Sequence, residues 1–161
     1  MYYLIVSRLV PQKRIDIAID AFNILGLPLK IIGTGKEDKR LKAKAHKNIE
    51  FLGHLTDEQV ARYYDSCRAV IVPGEEDFNI VAIEAQAHGK AVIAFGRGGV
   101  TETVIPGKTG WFFESQSATD LEKAIRYADF SRIKSTDCRK NAEKFSEERF
   151  KTEFRDYVRH S

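Results

Sequence analysis

The chain of 161 residues is 43% hydrophobic and 30% charged, ordinary usage for a folded domain, which argues against intrinsic disorder and supplies enough apolar side chains for one core. Its net charge of +3 is spread as Lys and Arg interleaved with Asp and Glu along the helical stretches, so nucleic acid and membrane surfaces find no basic block to bind. No apolar run approaches the roughly 20 residues of a membrane span, and Cys67 and Cys138, far apart and without a CxxC pair, a His at ligand spacing or a secretory leader, read as reduced cytosolic thiols.

Short β-rich runs alternate with amphipathic stretches. A strand is expected over residues 2–7, then a helix over Ile15–Leu25 with Ile15, Ile17, Ala18, Ala21 and Phe22 on its apolar face. A strand over residues 29–33, a helix over 38–45 and a strand over 49–52 follow. Thr56 and Gln59 form a capping box ahead of a helix over residues 57–67, and the next strand covers 69–73. The second half reads as a helix over Ile80–Ala87, a strand over Ala91–Phe95, a short segment over 101–104 and a strand over Gly110–Phe113. A helix over 119–128 comes next, with further helices from about 131. The strands near residues 4–6, 29–32, 69–72 and 91–94 are apolar runs without polar alternation, the pattern of strands covered on both faces. The expectation is an α/β fold, a three-layer, Rossmann-like, doubly wound parallel sheet with extra helices at the carboxyl end, forming one unit over residues 1–161. That architecture does not assign a function.

Two carboxylates, Glu76 and Glu84, stand eight positions apart where a strand gives way to a helix. Glu76 is expected in the loop and Glu84 about two turns into the helix. Ionised carboxylates accept hydrogen bonds from sugar hydroxyls, while the free N–H groups between them suit phosphate oxygens. The bland alternative is a solvated acidic loop and an exposed helix Glu. Arg8 and Lys13 lie just beyond the first strand, where open α/β sheets bind ligands. Together they can neutralise a diphosphate without a metal. Lys13, expected in the first turn of a helix, would oppose the macrodipole by about 0.3–1 kcal/mol, which an anion would relieve. The alternative is a surface Arg and a helix-start Lys. No Asp-x-Asp metal motif occurs, and binding of a sugar diphosphate without metal is expected. Gly33-Thr34-Gly35 follows the second strand and lacks a third glycine, so it is a poor dinucleotide fingerprint. Gly96, Gly98 and Gly99 suit either a permissive loop or close approach to a ligand, and His46, His88 and His160 suit structural or surface roles.

Five early elements carry a resemblance: Ser7-Arg8-Leu9 with Lys13, the helix ending Ala21-Phe22, Ile32-Gly33-Thr34-Gly35, Ile49-Glu50-Phe51-Leu52-Gly53 and Ala69-Val70-Ile71-Val72-Pro73. Three later ones join them, namely the run from Glu76 through Glu84 to Ala94, Gly98-Gly99-Val100-Thr101-Glu102-Thr103-Val104, and Gly107-Lys108-Thr109-Gly110. In this order and spacing they resemble the carboxyl-terminal, donor-binding domain of the retaining glycosyltransferases of family 4 (group 1), which have the two-domain GT-B fold. The resemblance covers most of the chain. It implies that Arg8 and Lys13 meet the donor diphosphate, Glu84 the ribose hydroxyls and Glu76 the transferred sugar. The backbone of Phe78, Asn79, Ile80 and Val81 would meet phosphate and sugar oxygens, and Gly53 and His54 would lie near the base.

The implied activity is transfer of a hexose, mannose or glucose, from a GDP- or UDP-sugar to an acceptor hydroxyl, with retention and without a cofactor or metal. A lipid-linked or oligosaccharide acceptor is implied, as is a cytoplasmic location with any membrane contact made through another domain. Two positions depart from the family pattern, which usually has Gly at Asn79 and at Arg14. Asn79 is expected to keep a Gly-like left-handed turn or to bind a hydroxyl, and Arg14 to face solvent or add a third phosphate contact. The family's amino-terminal acceptor domain has no counterpart here, so the expectation is a fragment that is inactive alone. Phe150, Phe154, Tyr157 and Val158 resemble a terminal helix that crosses toward that domain. Two other readings stay open: a sugar-nucleotide 2-epimerase domain, and a non-catalytic nucleotide-sugar-binding regulatory module.

Overall fold

The computed structural model describes residues 1–145. Its apolar runs form six strands, β1 (Tyr3–Val6), β2 (Leu29–Ile32), β3 (Ile49–Gly53), β4 (Ala69–Val72), β5 (Ala91–Phe95) and β6 (Gly110–Phe113). All neighbours pair in parallel, in the order β3-β2-β1-β4-β5-β6. Successive side chains along a strand point to opposite faces, so each strand feeds two cores. Tyr3, Ile5, Ile31, Ile71 and Ile93 pack on one face with α1 (Ile15–Leu25), α2 (Asp38–Lys44) and α6 (Ala118–Tyr127). Leu4, Ile32, Val70, Val72 and Val92 pack on the other with α3 (Asp57–Ser66), α4 (Ile80–Ala87) and α5 (Val100–Thr103). Each fully buried Ile, Leu or Phe contributes about 1.5–3 kcal/mol. The expected doubly wound, three-layer sheet is what forms.

Local signals set the start of several helices. Thr56 and Gln59 make the reciprocal capping box of α3. Ser117 caps α6 through the N–H of Asp120. The last described helix, α7 (Ser135–Glu143), packs on α4 through a buried amide pair. Asn141 Nδ2 donates to Gln86 Oε1 at 2.6 Å and to the Thr103 carbonyl at 2.7 Å, and Gln86 Nε2 donates to the same carbonyl at 2.8 Å. Phe150, Phe154, Tyr157, Val158 and His160 lie outside the described residues. Among the described residues no helix is long and apolar enough to cross a membrane.

Two sequence expectations change, and the weak dinucleotide motif finds a structural role. Lys13 does not enter the first turn of α1; it ends a separate 3-10 turn, Pro11–Lys13, because Arg14 adopts a left-handed conformation between the two. Glu84 lies four residues after Ile80, just over one turn into α4 and not two, because the helix begins only at Ile80. Gly33-Thr34-Gly35 holds two loops together: the N–H groups of Ser7 and Leu9 donate to the carbonyls of Ile32 and Thr34 at 3.0 and 2.9 Å. Gly33 has φ +135°, and a Cβ there would come within 1.7 Å of the Ser7 oxygen, so backbone contact requires the glycine.

Candidate functional site

The sheet reverses its winding between β1 and β4, adjacent strands whose following helices, α1 and α4, pack on opposite faces. Loops leaving two such strands at their carboxyl ends diverge and open a crevice, the general ligand position in open α/β sheets. Two recesses and one small cavity lie along this edge. The largest, about 470 Å³, is lined by Arg8, Val10, Gln12, Lys13, Gly35 and Lys36, and so carries three cations and no carboxylate. A second, about 340 Å³, shares Arg8 and adds Thr34, His54, Leu55, Val60 and Val81. The cavity between them and the sheet, about 20 Å³, is lined by Lys13, Gly74, Glu76, Asn79 and Val81 among others. Concentrated positive charge of this kind attracts an anion.

Across the crevice the Lys13 ammonium pairs with the Glu76 carboxylate, tying the loop after β1 to the loop after β4. The Glu76 backbone is fixed from the other side, where the Gly99 N–H donates to its carbonyl at 2.6 Å. Gly98, at φ +80°, permits that approach, since a Cβ there would lie 2.4 Å from the Glu76 oxygen. Asn79 caps α4, its Oδ1 accepting from the Ala82 N–H at 2.9 Å. Of the first-turn donors, the Ile80 and Val81 N–H groups then have no acceptor among the described residues, at the crevice end of the helix. The Asn79 Nδ2 is buried without an acceptor among the described residues, in a side chain only 2% exposed. An orphaned buried amide is costly, and an acceptor arriving with a ligand or from a freed Glu76 would relieve it.

Glu84, exposed on α4, is held by α3: the Tyr64 hydroxyl donates to Glu84 Oε2 at 3.0 Å. Burial, and then the Glu84 charge, push the Tyr64 phenol far above its ordinary value, so it stays a donor.

The family described as Glycosyl transferases group 1 matches residues 1–145. The chain belongs to the group 1 glycosyl transferases. An uncharacterized glycosyltransferase of Methanocaldococcus jannaschii is 39% identical over 127 residues, covering 76% of this chain and 36% of that protein. Sucrose-phosphate synthase from Thermosynechococcus elongatus superposes with a TM-score of 0.84 at 27% identity, covering 99% of this chain and 46% of the other. Anabaena HepE in complex with UDP-glucose superposes with a TM-score of 0.76 at 26% identity, covering 92% and 44%. The chain spans about a third of the length of the curated relatives it matches. Its sheet is that of one half of a GT-B glycosyltransferase.

Within this group 1 transferase fold, the residues singled out from sequence divide into two sets. Arg8, Lys13, Glu76, Asn79, Val81 and His54 line the contiguous recesses. Gly53, Phe78, Ile80 and Glu84 lie beside them without lining them; Gly53 instead accepts the Gly33 N–H at 2.9 Å. The two departures from the family's usual glycines resolve in different ways. Asn79, at φ −122°, makes no left-handed turn, because its side chain is committed to capping α4. Arg14 is itself left-handed at φ 51°, alone among the described non-glycine residues, and its guanidinium turns to Asp16 at 3.3 Å and not to the crevice. Sequence reasoning missed Gln12 and Lys36 on the recess and Tyr64 behind Glu84. Lys36, directly after Gly35, was findable as a third cation beside the loop; Tyr64 carries no local signal.

Proposed function

We propose that residues 1–161 are the nucleotide-sugar-binding domain of a retaining, family 4 type glycosyltransferase. It would move a hexose, glucose or mannose, from a nucleoside-diphosphate donor to an acceptor hydroxyl supplied with an amino-terminal acceptor domain. The observation that carries this reading is the cationic recess between the loops after β1 and β2, beside the β1–β4 switch point where Lys13 pairs with Glu76. Arg8 and Lys13 counter the charge that grows on the departing diphosphate, the work a divalent metal does elsewhere. The open N–H groups of Ile80 and Val81 take phosphate or sugar oxygens, Glu76 a hexose hydroxyl and Glu84 the ribose. The second recess, with Thr34, Leu55 and His54, is the place for the base. The HepE complex with UDP-glucose supports a donor of this class.

Titration calorimetry of the 161-residue chain with UDP, GDP and their glucose and mannose conjugates, with and without EDTA, tests the reading. Binding of one nucleotide series, unchanged by EDTA, is expected. No transfer is expected from this chain alone, because orienting two reactants supplies several orders of magnitude in rate and the acceptor side is not in these residues. Failure to bind either nucleotide, strict Mg²⁺ dependence, or rapid transfer by the chain alone would each count against it.

A further inference from the structure

We propose that Tyr64 is a positioning residue for Glu84: its buried hydroxyl holds one carboxylate oxygen, leaving the other to take the vicinal diol of a nucleotide ribose. The proposal rests on the donor-site reading above and names the residue that makes its ribose contact selective. Glu84 stands on an exposed turn of α4, where a free glutamate samples several rotamers and a ligand would have to order it. Here the ordering is done by the protein.

Tyr64 is only 2% exposed and belongs to the core under α3 and α4. Cys67 Sγ donates to its carbonyl at 3.2 Å, and the ring is stacked on His88, centroids 5.1 Å apart and planes 15° apart. His88 in turn lies 2.7 Å from Asp65 Oδ1 through Nδ1. The ring is therefore clamped between core and imidazole, and its hydroxyl stands at a fixed point. A phenol has one proton to donate, so it engages Oε2 and consumes no more of the carboxylate. No other protein group bonds Glu84's side chain among the described residues. An oriented carboxylate with one oxygen unclaimed matches two adjacent hydroxyls, and it favours ligands that carry both.

Calorimetry with UDP and with GDP selects the nucleotide that the wild-type chain binds. Wild type, Tyr64→Phe, His88→Ala and Glu84→Gln are then titrated with that nucleotide and with its 2′,3′-dideoxy form. Tyr64→Phe should lose about two- to tenfold in affinity for the ribonucleotide and nothing for the dideoxy form. His88→Ala, which keeps the hydroxyl but unclamps the ring, should show a smaller loss with the same selectivity, and it carries the test if Tyr64→Phe does not fold. Glu84→Gln should show the largest selective loss. Equal losses on both nucleotides, or none, in the Tyr64 and His88 variants beside a selective Glu84→Gln would overturn this proposal and leave the donor site standing. A Glu84→Gln variant indifferent to the ribose hydroxyls, or a wild type that binds neither nucleotide, would overturn the reading of the site and this proposal with it.

Discussion

Lys13 and Glu76 are 63 positions apart in sequence, yet each is the other's charged partner across the crevice. An anion arriving at Lys13 competes with Glu76, and a hexose hydroxyl arriving at Glu76 competes with Lys13. The two side chains are 28% and 21% exposed, a setting in which an ion pair contributes roughly 0.2–1 kcal/mol. Glu76→Gln should therefore tighten binding of the free nucleoside diphosphate, by up to about fivefold. The sugar-bearing donor should gain less or lose, because the acceptor for its hexose is weakened, so the ratio of the two affinities shifts toward the diphosphate. Paired calorimetric titrations read this ratio directly. Weaker binding of the free diphosphate in Glu76→Gln would show that Glu76 itself contacts the nucleotide moiety.

At the scale of elements, Arg14 separates the 3-10 turn that carries Lys13 from α1, and does so at φ 51°, ψ 40°. A side chain in the left-handed region costs about 1–2 kcal/mol, and the Arg14–Asp16 pair, 40% and 25% exposed, returns little of that. Arg14→Gly removes the strain but gives the unfolded chain more freedom, a partial offset of about 0.5–1 kcal/mol. A net stabilisation of up to about 1 kcal/mol is expected, seen as a higher urea midpoint at unchanged slope. Arg14→Val, β-branched, should lower the midpoint. If Arg14→Gly lowers the midpoint instead, the left-handed junction is not a source of strain. Asn79 shows the opposite solution at the start of α4, where a negative φ and a capping side chain replace the freedom of a glycine.

For the whole molecule, two buried thiols link stability to alkaline pH. Burial pushes Cys67 up to about 12 and Cys138 up to about 11, from an ordinary value of 9.0. The neutral thiol is the form the fold accepts, so its contribution is complete below pH 9 and is lost as pH rises toward 11 and 12, where the unfolded chain alone has shed its protons. The melting temperature should fall between pH 9 and pH 11. The double variant Cys67→Ala with Cys138→Ala should flatten that fall, whatever its effect on stability at neutral pH. An unchanged slope in the double variant would assign the alkaline loss to other groups, the buried tyrosines first.

The sequence by itself determined the parts of the fold that depend on a few neighbouring residues. Apolar runs marked Ala91–Phe95 and Gly110–Phe113 as strands and the 3.6-residue period marked Ile15–Leu25 as a helix, because burial patterns repeat within one element. The capping box at Thr56 is equally local. The order of short motifs along the chain was enough to point to the family that the comparison established. Tertiary structure decided what the side chains meet. Strand order sets β1 between β2 and β4: the β4 neighbour brings Glu76 to Lys13, and the β2 neighbour lets Lys36 join Arg8 at one recess. The packing of α3 against α4 delivers the Tyr64 hydroxyl to Glu84, 20 positions away. Left-handed backbone falling on Arg14 and not on Asn79 follows from the same cause: conformation at a junction is fixed by the elements it joins, and those are placed by the sheet.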